Sequence, residues 1–149
     1  MTEPQLTVGA DNLSITHTFD ATAERLFQCF TDAALLSKWH APGEMQVSAE
    51  VDLRVGGEYR IAMKNAEGQV FTAVGAYKEI DAPNKLVYTW SWAERDLPET
   101  VVTVLFTRRG EQTTVDLIHE GFPTAEEAQH HSQGWTGIYM NLAGFLNNS

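Results

Sequence analysis

The stretch Thr124-Ala-Glu-Glu-Ala-Gln-His-His-Ser-Gln-Gly-Trp-Thr-Gly-Ile-Tyr-Met-Asn-Leu-Ala-Gly-Phe145 decides the fold. Ala128, His131, Trp135, Ile138, Leu142 and Phe145 recur at three- and four-residue spacing. That period predicts a long helix with one apolar seam, interrupted by a single imidazole. Thr124 can cap its start, and Glu126 and Glu127 suit its positive end. Gly134, Gly137 and Gly144 each cost roughly 1 kcal/mol relative to alanine in a helix. A helix that keeps three glycines lies close against something or bends. The seam therefore faces a partner surface, and Trp135 is expected to be buried against it.

That surface comes from the segment before the helix. Val47, Ala49, Val51 and Leu53 alternate with polar residues, and Tyr59, Ile61 and Met63 share a face beyond the Gly56-Gly57 turn. Further strands are read near Val70–Ile80, over Leu86–Trp92 and over Val101–Arg108 and Thr113–Glu120. Period-two alternation with short turns predicts an antiparallel meander. Upstream, Leu13, Ile15, His17 and Phe19 form one apolar strand face. Two short helices follow, the first capped by Thr22 with Leu26, Phe27 and Phe30 as its stripe. The second is capped by Asp32 and ends at Pro42-Gly43. Residues 1–12 read as a loose, polar terminal segment. The sum is an α+β fold: a curved antiparallel sheet of about seven strands around a long C-terminal helix, as one domain over 1–149.

Composition narrows the function. The chain has 149 residues, 43% of them hydrophobic and 20% charged, enough for one packed core without metal or disulfide. Ten basic residues against twenty acidic ones give a net charge of −10. A surface so acidic repels phosphate backbones, which excludes nucleic acid as a partner. The lone Cys29 cannot form an internal disulfide and reads as a small core residue. The first ten residues lack the basic start and apolar core of a secretory signal, so a cytoplasmic location is expected. No apolar run approaches the roughly 20 residues that span a bilayer, so membrane insertion is not expected.

Seven segments stand out in order and spacing: Ala23-Glu-Arg-Leu-Phe27, Leu36-Ser-Lys-Trp-His-Ala-Pro42, Asp52-Leu-Arg-Val-Gly-Gly57, Gly75-Ala-Tyr-Lys-Glu-Ile80 followed by Pro83, and Leu86-Val-Tyr-Thr-Trp90. His119-Glu-Gly-Phe122 and His131-Ser-Gln-Gly-Trp135 complete the set. Together they resemble the START-like (SRPBCC) superfamily. Within it the similarity is to the group related to the activator of heat-shock-protein ATPase. The resemblance implies a helix-grip fold around a hydrophobic cavity, with a lipid, polyketide or aromatic molecule as ligand. It also implies two alternatives, a cyclase or aromatase using cavity histidines, and a chaperone-assisting interaction domain. A chaperone or a second copy of the chain would then be the partner. This chain departs from many relatives in placing His40 after Trp39, where they carry a second large aromatic side chain.

The candidate site residues are of two kinds. His17, His119 and His131 fall on apolar faces of two strands and the long helix, from which they could converge. Imidazole there would serve as a ligand contact, a proton carrier or a metal ligand. No nearby Cys or HxxxH-type pair supports a metal, so neither metal nor cofactor is expected. Trp39, Tyr59, Tyr88, Trp90, Trp135 and Tyr139 could line a pocket, with Trp92 beside them, holding a ligand by shape and a few hydrogen bonds. Glu120 and Asp116 fall on the opposite strand face from His119. No Ser-His-Asp or Cys-His arrangement is legible, and neither glycine pair has a phosphate-binding context.

Overall fold

The computed structural model describes residues 4–147, and its elements follow the chain as one antiparallel sheet flanked by helices. The strands are β1 (Gln5–Val8), β2 (Asn12–Phe19), β3 (Gln46–Val51), β4 (Glu58–Lys64), β5 (Val70–Asp81), β6 (Lys85–Trp92), β7 (Thr100–Arg109) and β8 (Gln112–Glu120). The helices are α1 (Ala23–Thr31), α2 (Ala33–Trp39) and α3 (Ala125–Asn147). The sheet order is β1-β2-β8-β7-β6-β5-β4-β3, every neighbouring pair antiparallel. This is the helix-grip arrangement, with α3 against one face of the sheet.

Eight strands stand where seven are read from the sequence, and the difference is β1. Residues Gln5–Val8 are not loose; they pair with β2 from Gln5↔Thr16 to Val8↔Leu13. Three of the four are exposed, so no alternation marks them. Backbone pairing to a strand already in place holds them, which is a tertiary effect. The third strand also stops at Val51, two residues before the expected Leu53, which lies exposed in the following turn.

Local signals account for the helices. The Thr22 hydroxyl accepts from Arg25 N–H at 3.1 Å, and Asp32 accepts from Leu35 N–H at 3.1 Å. Thr124 does the same for Glu127 N–H at 3.1 Å. The α1 stripe then buries Leu26, Phe27 and Phe30, and the Phe30 and Phe106 rings meet edge to face at 5.4 Å. Burying such a side chain contributes about 1.5–3 kcal/mol.

The sheet curves around α3 where β5 changes its hydrogen bonding. A Cβ at Gly75 would stand 2.0 Å from the Thr89 carbonyl oxygen, so only glycine fits this approach. The Thr89 hydroxyl accepts from Ala76 N–H at 2.9 Å, and the register shifts just beyond, between Tyr77 and Glu79.

Elsewhere α3 is tied to the loop after α2. Asn141 donates to the carbonyls of Ala41 and, at 2.8 Å, Gly43. A Cβ at Gly137 would stand 2.8 Å from Pro42 Cβ and 3.1 Å from its Cα. Gly137→Ala is therefore expected to destabilise the fold by about 1 kcal/mol in urea unfolding, overpacking outweighing the better helix propensity. A gain in stability would show that α3 does not lie this close to the loop.

Candidate functional site

Several hollows of different chemistry lie in the molecule, three of them against α3. The one best suited to hold a molecule measures about 400 Å³ and is almost wholly apolar. Met63 of β4, Trp90 and Trp92 of β6, and Gly134, Trp135 and Ile138 of α3 border it. Val70 and Phe71 stand at its rim, 43% and 41% exposed, with Glu94, Arg95 and His130 beside them. A broader cleft of about 1040 Å³ runs past Met45, Lys64 and Met140, but polar groups make up much of its lining. An open, polar cleft gives an apolar solute little shelter, so the smaller pocket is the better candidate.

Two hydrogen-bonded chains of side chains build the wall of this pocket. Trp135 Nε1 donates to His119 Nδ1 at 3.0 Å. An indole N–H can only donate, so the neutral ring carries its proton on Nε2. That Nε2–H reaches Thr100 Oγ1 at 2.6 Å, and the Thr100 hydroxyl donates to the Trp90 carbonyl at 3.0 Å. In the second chain Trp92 Nε1 donates to His131 Nε2 at 2.9 Å. His131 Nδ1–H then donates to the Glu127 carbonyl at 2.8 Å. The two imidazole centroids are 5.4 Å apart, with Phe122 against both.

The electrostatics agree with these tautomers. Burial, and next the neighbouring His131, holds the His119 imidazole well below its ordinary pKa. Burial also lowers His131, against the opposing pull of the Glu127 carbonyl and carboxylate. Glu127 in turn pairs with Arg95 at 2.8 Å, which holds its carboxyl below the usual range. Both imidazoles are thus neutral at pH 7, and each has its lone pair engaged by an indole. Neither ring has an unspent basic nitrogen for a substrate proton.

The nine residues read from the sequence separate into groups. Trp90, His131 and Trp135 border the pocket, and His119 stands directly behind Trp135. His17 does not join them. Leu13 is the strand partner of His119, and His17 lies four residues further along β2, about 13 Å away. It rests edge to face on Phe19 at 4.7 Å, beside a separate hollow near the end of α3. Tyr59 and Tyr88 face the same interior at its other end, where with Tyr77 and His40 they close around a very small hollow. Trp39 packs on Phe30 and donates to the Cys29 carbonyl at 3.1 Å, and Tyr139 donates to the Val115 carbonyl at 3.2 Å. Those last two are core residues away from the pocket, because their polar atoms are spent on backbone.

His40 is the residue whose position the sequence least foretold. It is 1% exposed, and its ring is ringed by Trp39, Trp90 and Trp135 at 5.3, 6.0 and 5.6 Å. Burial pushes its pKa down to about 4. Among the described residues its Nδ1 finds no hydrogen-bond partner, and neither does Trp90 Nε1. Met63, Phe71, Gly134 and Ile138 were not named as site residues, although Met63 and Ile138 lie on the faces that period analysis assigns to the interior. Among the described residues no group of three His, Cys, Asp or Glu side chains comes together as a metal would need. No described helix is long and apolar enough to cross a membrane.

A helix gripped by a curved antiparallel sheet, with an apolar pocket between them, defines a START-like (SRPBCC) protein. The chain belongs to the Activator of Hsp90 ATPase homolog 1-like protein family, whose description fits residues 20–147. A crystal structure from Rhodobacter sphaeroides is similar with a TM-score of 0.86 at 22% identity, covering 99% of this chain and 100% of that one. A family protein from Silicibacter pomeroyi has a TM-score of 0.82 at 26% identity, covering 91% and 97%. An uncharacterized protein of Schizosaccharomyces pombe is 28% identical over 123 residues, 80% of this chain. The chain spans 32% of that relative's length.

Proposed function

We propose that the chain binds a small hydrophobic ligand in the pocket between β6 and α3. One observation carries this reading. The pocket is apolar and of ligand size, while the polar atoms of its wall are largely consumed by one another. About 400 Å³ falls within the roughly 300–1,000 Å³ usual for small-molecule sites. The fold supports the reading, since it is one in which hydrophobic ligands are bound. The two engaged imidazoles favour binding over proton transfer, which sets the cyclase or aromatase alternative behind it. The rim holds one paired cation, Arg95, against the carboxylates Glu94 and Glu127, so the mouth offers no net attraction to an anionic head.

Titration with fatty acids, sterols, flavonoids and lipids, followed by tryptophan fluorescence, tests this. Trp90, Trp92 and Trp135 border the pocket, so binding is expected to give a saturable change at one ligand per chain. Trp92→Ala should weaken that binding about tenfold, as the loss of one aromatic contact surface plus its hydrogen bond to His131 implies. Absence of any saturable response across all four classes would overturn the reading.

A further inference from the structure

Glycine is the poorest helix former after proline, yet α3 keeps three. Gly137 is closely packed, while a Cβ at Gly134 or Gly144 would meet nothing, Gly144 bordering the broader polar cleft and Gly134 the apolar pocket. Gly137 lies where a Cβ would strike Pro42 at 2.8 Å, so close packing explains it. Gly134 has no such explanation. Outside its chain neighbours and the backbone of its own helix, no atom among the described residues lies within 4 Å of where its Cβ would stand, and its φ is not in the positive range that favours glycine. It sits mid-helix, immediately before Trp135. His130, His131 and Ile138, one turn to either side, border the same pocket as Gly134 does. A side chain at 134 would thus enter space that the protein's own packing leaves unused.

We propose that Gly134 determines which ligands the pocket admits. The missing side chain leaves bare α3 backbone opposite the β6 indoles, and the bulkiest part of the ligand, a flat ring system, occupies that gap. This rests on the hydrophobic-ligand reading and deepens it. A fold under selection for stability alone would place alanine here, since nothing obstructs a Cβ. The feature that distinguishes glycine from alanine at this position is the room it leaves.

Gly134→Ala and Gly134→Leu test the inference with two probes, a flavonoid as the ring-bearing molecule and lauric acid as the slim chain. Gly134→Ala should raise the melting temperature by a few degrees, as better helix propensity without a clash requires. Gly134→Leu should weaken flavonoid binding at least tenfold while changing lauric acid binding less. Equal flavonoid affinity in wild type and Gly134→Leu overturns this inference and leaves the ligand reading standing. A lower melting temperature for Gly134→Ala also overturns it, because the glycine would then serve the fold. A wild type that does not bind the flavonoid overturns this inference, and the ligand reading falls with it only if fatty acids, sterols and lipids fail as well. If Gly134→Leu does not fold, Gly134→Ala decides alone: unchanged flavonoid affinity overturns the inference, and a several-fold loss supports it.

Discussion

Trp135→Ala is expected to lower stability by about 3–5 kcal/mol, read as a shift in the urea midpoint. Trp135 is 1% exposed, and its ring meets Trp90 at 5.2 Å and His40 at 5.6 Å. Two effects set the size of the loss. One is the hole left by a large aromatic, which α3 cannot collapse into because Asn141 ties the helix to the loop after α2. The other is the loss of the hydrogen bond to His119 Nδ1, which strands a buried acceptor. Because the ring also borders the pocket, part of the hole opens onto existing space, which places the value toward the lower end. Trp135→Phe separates the two effects. It keeps most of the packing, loses the N–H donor, and should cost about 1–3 kcal/mol. A loss under about 1 kcal/mol for Trp135→Ala would mean that the apolar seam of α3 does not hold the sheet as described.

The route from sequence to this site explains what was legible. Helix caps and strand alternation are local, so Thr22, Asp32, Thr124 and the α3 seam could be read directly. Strand β1 is held by its partner, not by its own pattern, and therefore escaped. The same division runs through the site. Alternation shows that His17 and His119 share the sheet's inner face, but their distance along it depends on register, which emerges only from pairing Leu13 with His119. That His131 sits in an apolar seam is legible; that it accepts from Trp92 is not, since this needs two side-chain rotamers from separate elements. Gly134 was legible only as a cost to the helix. Its meaning required knowing that the space beside it is open.

Acidification from pH 7 to 5 is expected to cost about 2 kcal/mol of stability, well before most carboxylates protonate. His17, His40, His119 and His131 all have folded-state pKa values lowered by burial from the ordinary 6.5. In the unfolded chain each takes up a proton near that ordinary value. Between the unfolded and folded pKa values the unfolded state binds more protons, so stability falls as pH falls through that window. For His40 the window runs from about 6.5 to about 4, and at pH 5 it accounts for about 2 kcal/mol by itself. Among the described residues its neighbours are indole and phenol rings and aliphatic groups, and no carboxylate acts on it to compensate the charge. His131 is placed differently: Glu127, Arg95 and His130 all act on it, and the carboxylate moderates its shift. His119 adds a structural consequence, because protonating Nδ1 forces Trp135 to give up its hydrogen bond. Urea unfolding at half-unit steps from pH 7.5 to 4.5 measures the slope. His40→Phe, which puts a ring of similar shape among Trp39, Trp90 and Trp135, should flatten the curve between pH 6.5 and 5. Folded domains are typically stable by only about 5–15 kcal/mol, so the wild-type loss is a large fraction of such a total. A urea midpoint unchanged from pH 7 to 5 would mean that these imidazoles are not held neutral by burial, and the Trp–His pairing of the pocket wall would fall with it.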